Sequence, residues 1–347
     1  MSSSRTRLTV VPTQRILVGR GLALLAALLI VAVTLAAMGR SPIALFGLVL
    51  HSTVGSRFGL EDLALFMTPL MLTGAAVWVG IRVNLWNIGA EGQFYAGATA
   101  ATAVGLFTGL PPALAIPAMI VAGMAAGMAW IFVPAAARAW LGVSEIVTTL
   151  LLNFVASLLV YYLATGPWAD RVTGALASTA RLHVILPDIW GVVHWGFPLA
   201  VFTVVVLGVL LARSRFGYET AIAGANPEAA RYAGISVAPR VLAVLLLSGG
   251  LAGLAGMVEV AGTVHRLQGG IANNYGYLGI VVALLARGSC LSLIPAALLM
   301  AFILDTGIVL QTTQISASAV LAITGLLVLA IAVGDELAAY ARVKKTS

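Results

Sequence analysis

The stretch Asn-Leu-Trp-Asn-Ile-Gly-Ala-Glu-Gly-Gln, residues 84–93, places four amide or carboxylate side chains and two glycines within an otherwise apolar region. The runs on both sides of it are apolar enough to cross a membrane. Water is scarce at membrane depth, so freed backbone groups and a charge such as Glu91 are tolerated only against protein or a solvated cavity. We therefore predict that this stretch lines a polar pathway through the membrane.

Composition sets the class of the whole chain. Of its 347 residues, 61% are hydrophobic and 9% are charged, and the mean hydropathy is +1.06. Soluble domains carry roughly 25% charged residues, so these values indicate a polytopic membrane protein with an all-α fold. The net charge of +7 does not indicate nucleic-acid binding, because the basic residues lie singly between apolar runs. A single cysteine, Cys290, excludes an internal disulfide and a CxxC redox pair.

Hydropathy predicts about ten transmembrane helices. A helix needs roughly 20 apolar residues to cross the bilayer, and fewer where it is broken or re-entrant. The third and eighth predicted spans are short, as expected beside broken segments. The ten ranges are 16–38, 63–81, 94–107, 113–133, 146–164, 197–212, 241–260, 277–285, 292–309 and 317–333.

The positions of lysine and arginine predict the orientation. With ten spans and a cytoplasmic N-terminus, fourteen of the 19 basic residues lie inside and five outside, which favours both termini in the cytoplasm. The chain then divides into a cytoplasmic tail over 1–15, a membrane domain over 16–335 and a cytoplasmic tail over 336–347. Two long connections belong to the membrane domain, a cytoplasmic loop at 213–240 and an external loop at 165–196.

The cytoplasmic loop contains the signals of a short helix. Asn226 is a good N-cap, Pro227 suits the first helical position, Glu228 favours the positive end of the helix, and Gly234 can terminate it. These residues predict a well-capped helix outside the bilayer. It is either an ordinary connector on the membrane surface or a rigid projection on which a soluble partner acts. The residues of this candidate coupling helix are Asn226, Pro227, Glu228, Ala229, Ala230, Arg231 and Gly234.

A second glycine-rich polar segment, residues 265–277, resembles the first in composition. If the fold contains inverted repeats, the two segments would meet and line one site. We expect Glu91 to hold the broken helix, and Asn87 and Gln93 to offer amide hydrogen bonds to a solute. Asn153 is either interhelical glue or a substrate contact. The predicted pathway residues are Asn84, Trp86, Asn87, Glu91, Gln93, Asn153, Asn274 and Tyr275.

Other polar and aromatic residues have simpler interpretations. Trp86 and Tyr275 could stack on a base or sugar, although aromatic side chains in membranes more often serve packing. Glu145, preceded by Ser144, is expected to cap its helix. The four histidines are scattered along the chain and are expected to be solvated or rim residues, so no metal site is predicted. They are His51, His183, His194 and His265.

Close helix packing is predicted from glycine spacing. Gly123 and Gly127 lie four residues apart in the fourth predicted span, and Gly249 and Gly253 lie four apart in the seventh. Such small-xxx-small pairs allow two helix backbones to approach closely. We assign them to architecture and not to chemistry.

The sequence contains no catalytic motif. A phosphate-binding P-loop needs a lysine after its glycines, and the only lysines are Lys344 and Lys345 at the C-terminus. There is no Gly-x-Ser-x-Gly elbow and no His-Glu-x-x-His helix. We therefore predict that the chain is not an enzyme, has no catalytic residues and binds no cofactor itself.

Four segments occur in the order seen in one transporter family: 87–93, 144–153, 226–234 and 249–286. The chain resembles, over roughly 15–335, the membrane permease subunit of nucleoside or simple-sugar ABC importers, in the broader group of ribose and branched-chain amino acid permeases. The Glu-Ala-Ala of 228–230 followed by Gly234 resembles the loop that inserts a coupling helix into the ATPase. The Asn-Ile-Gly-Ala-Glu-Gly-Gln signature is typical of the nucleoside branch.

The resemblance implies a multi-subunit importer in the bacterial cytoplasmic membrane. A cytoplasmic ABC ATPase would bind the ATP, a second permease subunit would form a heterodimer with this chain, and an extracytoplasmic binding protein would deliver the solute. The leading alternative is a proton-coupled secondary transporter of a small polar solute, driven by titration of Glu91, Glu259 or Asp305. A passive channel is a third possibility, which the single large inner loop disfavours.

Overall fold

Helices account for most of the described chain in the computed structural model, which describes residues 13–172, 177–286 and 288–340. The predicted cytoplasmic tails lie largely outside these residues. Two π-helical turns, Ala137–Leu141 and Glu259–Val264, extend α5 and α10, and a 3₁₀ turn, Cys290–Ser292, precedes α12. The helices are α1 (Thr13–Ala37), α2 (Pro42–Thr53), α3 (Arg57–Ile81), α4 (Ala90–Phe107), α5 (Pro112–Ala136), α6 (Glu145–Thr165), α7 (Gly196–Arg213), α8 (Arg215–Ala225), α9 (Pro227–Tyr232), α10 (Val237–Val258), α11 (Tyr275–Leu285), α12 (Leu293–Thr312) and α13 (Ala317–Tyr340).

The prediction of an all-α polytopic membrane protein is confirmed, but the count of ten spans is not. Each predicted range falls on a helix, because long apolar runs satisfy their backbone groups most simply as helices. Among the described residues, six helices are long and apolar enough to cross a membrane. The number rises to seven if the pair Leu25–Ala37 and Pro42–Thr53, bent by 117°, counts as one span. As predicted, α4 and α11 each follow an irregular segment. The helix α11 is short, with 11 residues, whereas α4 extends over 18 residues and is longer than predicted.

The chain divides into two compact units. Of the described residues, one comprises 13–55 and 303–340, and within it α1 packs against α13 and contacts α2. The other comprises residues 56–302 and contains α3 to α11. Both polar segments singled out in the sequence belong to this second unit, and so does the predicted coupling helix.

Glycines allow α4, α5 and α10 to touch through their backbones. Gly127 of α5 faces the Gly249 carbonyl of α10, and Gly253 of α10 faces the Gly123 carbonyl of α5. Gly97 of α4 also lies against the backbone of Gly253. A Cβ atom on Gly97, Gly127 or Gly253 would collide with main-chain atoms, which cannot move aside. The predicted close packing of the two glycine pairs is confirmed, and it includes a third helix.

A small β-hairpin is the exception to the helical fold among the described residues. Its strands are β1 (Asp188–Trp190) and β2 (Val193–His194), in the region predicted as the external loop. The turn contains Gly191 at φ +56, a left-handed conformation that glycine adopts without strain. The Glu61 carboxylate of α3 accepts a hydrogen bond from the Val192 amide at 3.3 Å and pairs with Arg57 at 2.7 Å. These contacts fasten the hairpin to the start of α3.

The glycine contacts generate a stability prediction. We expect Gly253→Ala to lower the free energy of unfolding by about 1–3 kcal/mol, because overpacking forces helix backbones apart. The control is Gly47→Ala in α2, where the added Cβ meets no atom within 4 Å. Unfolding of both purified variants by titration with SDS measures the difference. Equal stability of the two variants would contradict the proposed role of the glycine contacts.

Candidate functional site

The first polar segment is an interruption between two helices. The helix α3 ends at Ile81 and α4 begins at Ala90, so residues 82–89 have lost the regular helical hydrogen bonds. Asn84 lies in the left-handed region at φ +54, which asparagine tolerates better than most residues. Asn87 is buried and Trp86 is partly exposed. We call residues 82–89 the first break.

Two amides of this region bind each other. The Asn87 side chain donates to Gln93 Oε1 at 2.7 Å, and Gln93 donates back to Asn87 Oδ1 at 2.9 Å. Asn87 also donates to the Ser248 hydroxyl of α10 at 2.7 Å, and this hydroxyl donates to the Ala76 carbonyl of α3. All three polar side chains are buried. In this conformation the two amides therefore satisfy each other, and a solute could reach their donors and acceptors only by replacing these bonds.

Glu91 joins the first polar segment, residues 84–93, to the second, residues 265–277. We call residues 265–274, between the π turn and α11, the second break. Glu91 Oε2 accepts a hydrogen bond from the Gly276 amide at 2.8 Å, in the first turn of α11. A helix N-terminus carries unpaired amides and a partial positive charge, so a carboxylate is favourable there. A Cβ on Gly276 would collide with the Glu91 backbone, so the two segments are in direct contact.

Asn153 of α6 contacts both polar segments, residues 84–93 and 265–277. Its Oδ1 accepts from the Gly92 amide at 2.9 Å, while its Nδ2 donates to the Ile88 carbonyl at 2.9 Å and to the Tyr277 hydroxyl at 3.1 Å. The side chain is 3% exposed. Its amide therefore supplies hydrogen bonds that irregular backbone at this point would otherwise lack.

The remaining predicted pathway residues take different positions. Tyr275 is buried and packs against Phe94, with the ring centroids 6.2 Å apart. Asn274 is exposed and left-handed at φ +62, immediately before α11. The amide of Trp86 donates to Glu145 Oε1 at 3.4 Å. Packing of Tyr275 agrees with the more common role of aromatic side chains in membrane proteins.

Two residues that contact the first break, Ser248 and Glu145, were missed or only partly described from the sequence. Ser248 gave no signal, because a lone serine in an apolar helix resembles any other small residue. Glu145 lies in the first turn of α6, as expected, but Ser144 makes no side-chain cap hydrogen bond. The Glu145 carboxylate instead reaches the first break through Trp86 and pairs with Arg138 at 3.3 Å.

The expectation that the histidines are solvated or rim residues is wrong for His194. This side chain is buried, accepts from the Gly196 amide at 3.0 Å and lies 3.3 Å from the Thr263 hydroxyl. Burial lowers the pKa of the His194 imidazole to about 4, although Asp188 acts in the opposite direction. The ring is therefore neutral at pH 7 and serves as packing between the hairpin and the end of α10.

The capped helix predicted in the cytoplasmic loop is confirmed as α9. The Asn226 side chain accepts hydrogen bonds from the amides of Glu228 and Ala229, each at 3.0 Å. Gly234 follows the helix at φ +77, the left-handed conformation that ends many helices. Ala230 is buried beneath it, whereas Tyr232 is 94% exposed. The helix therefore offers an outward surface on an anchored base.

The helix α8, which precedes α9, is fastened to the rest of the unit at two points. Glu219 of α8 pairs with Arg215 of the same helix at 3.0 Å and with Arg240 of α10. Near the end of α8, the Gly224 carbonyl accepts a hydrogen bond from the Asn84 side chain at 2.6 Å. Gly224 also lies against the backbone of Arg82 so closely that a Cβ would collide. The first break thus touches the helical segment that carries α9.

The sequence of the chain matches a known protein family. Residues 59–332 match the family described as "Branched-chain amino acid transport system / permease component". The chain belongs to this permease family. The match covers α3 to α12, and hence both breaks and the predicted coupling helix.

Individual relatives of this permease are named for sugar and nucleoside transport. It is 38% identical to the glucose ABC transporter permease TsgB13 of Haloferax volcanii, over 82% of this chain and 79% of the relative. It is 33% identical to the guanosine ABC transporter permease NupP of Bacillus subtilis, over 67% and 69% of the two chains. It is 29% identical to the nucleoside ABC transporter permease NupB of Lactococcus lactis, over 88% and 85%.

Asn153 provides a test of how the permease holds its breaks. We expect Asn153→Ala to lower the free energy of unfolding by about 2–4 kcal/mol, because the Gly92 amide and the Ile88 carbonyl lose their partners. Ser157→Ala, one turn further along α6, removes a hydroxyl that bonds the Phe154 carbonyl locally and is expected to be near neutral. SDS-induced unfolding of the purified variants measures both. If Asn153→Ala were as stable as the control, the polar contacts of Asn153 would not hold the breaks.

Proposed function

We propose that this permease is a membrane subunit of an ABC importer that moves nucleosides or related simple sugars into the cytoplasm. The observation that carries the proposal is the hydrogen bond from Asn84 to the Gly224 carbonyl, because it connects the candidate coupling segment with the polar interior. The names of the relatives support the same class of solute. ATP would be bound and hydrolysed by a separate ATPase subunit, and this chain would carry no cofactor.

The interior favours a neutral polar solute. Its buried polar groups near the first break include the paired amides of Asn87 and Gln93 and the hydroxyl of Ser248, and the buried carboxylate of Glu145 is paired with Arg138. The carboxylate of Glu91 is engaged at the start of α11. Nucleosides and sugars carry both donors and acceptors, so they can exchange bonds with paired amides in a passage that has been opened. Asn153, Asn274, Tyr275 and Trp86 remain further candidates for the pathway.

The coupling step would begin at α9. An ATPase that closes on the exposed surface of α9 would move α8 with it, because the connection at Asn226 is a single capping residue. The ion pair of Glu219 with Arg240 and the bond from Asn84 would transmit this movement to α10 and to the first break. Glu91 would pass it to α11 through the Gly276 amide. Such a chain of contacts supports a two-state pathway driven from the cytoplasm.

The assembly we propose contains several partners. A cytoplasmic ABC ATPase would contact Glu228, Arg231 and Tyr232 on α9. A second, different permease subunit would complete the membrane part, and an extracytoplasmic binding protein would dock over the external loop at 165–196. Both termini would lie in the cytoplasm of a bacterial cell, with the chain in its cytoplasmic membrane.

Proton coupling is the competing mechanism, and one observation favours it. Glu259 is buried in the π turn after α10, where the Thr263 hydroxyl donates to it at 3.4 Å. A buried carboxylate in a membrane protein is a common proton carrier. Glu91, by contrast, accepts a backbone hydrogen bond that holds two helices together, which suits a fixed group better than a titrating one.

Uptake by native cells tests the solute and the energy source together. We expect loss of this chain to abolish uptake of labelled uridine and adenosine, and excess unlabelled ribose or glucose to leave the wild-type uptake unchanged. Vanadate should block uptake in vesicles supplied with ATP, whereas a protonophore should not. Nucleoside uptake that survives deletion of this chain would move the assignment to sugars. Block by the protonophore alone would favour the secondary transporter.

The same assay tests the coupling helix. We expect Glu228→Ala combined with Gly234→Val to reduce ATP-driven uptake at least about tenfold while the variant still folds, because the strained turn displaces the surface of α9. Arg215→Gln is the control, since its side chain is 92% exposed and its ion pair is worth little. Full uptake by the double variant would overturn the assigned role of α9.

A further inference from the structure

An open cavity lies where α3 and α7 end. Its volume is about 360 Å³, and it is bounded by the last turns of these two helices and by residues 288–291. All of these residues belong to one unit of the fold. One wall is apolar, with Val205, Val209 and Leu211 of α7. The two charged residues that line it are both arginines, Arg82 and Arg213, and no carboxylate is among its described lining residues.

Arg82 is placed to bind an anion. Its guanidinium lies over the Trp78 ring, 5.4 Å from the ring centroid, so the charged group is held toward the cavity. The Nε atom is buried and has no hydrogen-bond partner among the described residues. A buried charged donor without an acceptor is unfavourable, and such a group is a sign of an unseen ligand. An acceptor oxygen that enters the cavity would remove this penalty.

The two arginines mark one membrane boundary. Arg82 caps the C-terminus of α3 and Arg213 is the last residue of α7. Both helices are apolar enough to cross a membrane, so their ends lie at headgroup level. The charge pattern of the sequence predicts that this is the cytoplasmic side. Trp78, one turn before Arg82, has the amphipathic character of side chains in the interfacial belt.

The cavity continues from the charged end along an apolar wall. Gly208 of α7 faces Cys290, and a Cβ there would lie 3.3 Å from the Cys290 Cβ, so the absence of a side chain leaves room beside Val205 and Val209. A free phosphate would use the arginines but leave this wall uncovered. A phospholipid would occupy both, with its phosphate at the arginines and the start of an acyl chain against the valines.

We propose that this cavity is a binding site for an anionic phospholipid. The phosphodiester accepts hydrogen bonds from Arg82, including its Nε, and the exposed Arg213 adds a second positive charge. Two cations with no carboxylate among the described lining residues favour a headgroup with net negative charge over a zwitterionic one. Arg82 is the first residue of the first break, but neither the paired amides nor any residue of α9 lines the cavity, so the proposal does not depend on which solute the permease carries.

Native mass spectrometry of the purified full chain tests the proposal. The protein is incubated in detergent with equal amounts of phosphatidylglycerol and phosphatidylcholine. We expect retention of phosphatidylglycerol by the wild type, and a loss of roughly tenfold in Arg82→Gln, because charge-assisted hydrogen bonds to the phosphate are removed. Arg171→Gln, at an exposed loop position outside the cavity, removes the same charge and should retain the lipid.

A cavity-filling variant distinguishes loss of the binding site from misfolding and from a general loss of positive charge. Ala212→Phe keeps both arginines and places a bulky ring at a lining position, so it should also lose the lipid while eluting as wild type in size-exclusion chromatography. Equal retention of both lipids by the wild type, or unchanged retention in Arg82→Gln and Ala212→Phe, would overturn the proposal. Displacement of phosphatidylglycerol by millimolar inorganic phosphate would identify a free-anion site and would equally overturn it.

Discussion

The first break must satisfy its own backbone groups, and the rest of the site is arranged around this requirement. A helix that is interrupted within a membrane protein exposes amides and carbonyls that water does not reach, so side chains have to replace it. Asn153 supplies partners for Ile88 and Gly92, and the carboxylate of Glu91 supplies one for Gly276. The polar residues that suggest solute binding in the sequence are therefore first of all the supports of irregular backbone. A pathway in this permease would therefore open by exchanging these hydrogen bonds for bonds to the solute, because these polar groups are already paired.

Glycine contacts determine which side chains can take part. Because Gly97, Gly127 and Gly253 let three helices touch through their backbones, α10 comes close enough for Ser248 to meet Asn87. These contacts also oppose sliding of the three helices past one another. Each carbonyl lies opposite a glycine, and a shift along the helix axis would bring it against a residue that has a side chain. Movement of the unit is then favoured at the breaks and at the ends of helices, where Asn84 meets Gly224. A closely packed core of α4, α5 and α10 is thus joined to the two breaks, whose backbone is not held by regular helical hydrogen bonds.

Local signals could be predicted from the sequence, and distant pairings could not. The positions of most apolar helices followed from hydropathy, although α2 was not among the predicted spans. The helix α9 followed from Asn226 and Pro227, and the glycine pairs followed from their spacing, because each of these depends on residues within a few positions. Inverted repeats would bring the two polar segments together, and the structure does so. The sequence pattern did not indicate that the contact includes a hydrogen bond between Glu91 and an amide 185 positions away. Ser248, the hairpin and buried His194 were missed, because their partners are remote in sequence. Hydropathy alone also could not separate a crossing helix from a bent pair such as α1 and α2.

The link between α9 and the interior is the central claim, and Asn84→Gly tests it most directly. Glycine keeps the left-handed backbone at this position and removes only the donor to Gly224. The measurement is ATP hydrolysed per solute transported by the reconstituted importer, with Gln314→Gly, at another exposed left-handed residue, as the control. We expect Asn84→Gly to retain assembly and basal ATP hydrolysis but to raise the ATP used per solute several-fold, with the control unchanged. An unaltered ratio in Asn84→Gly would show that the bond to Gly224 does not link α9 to the interior.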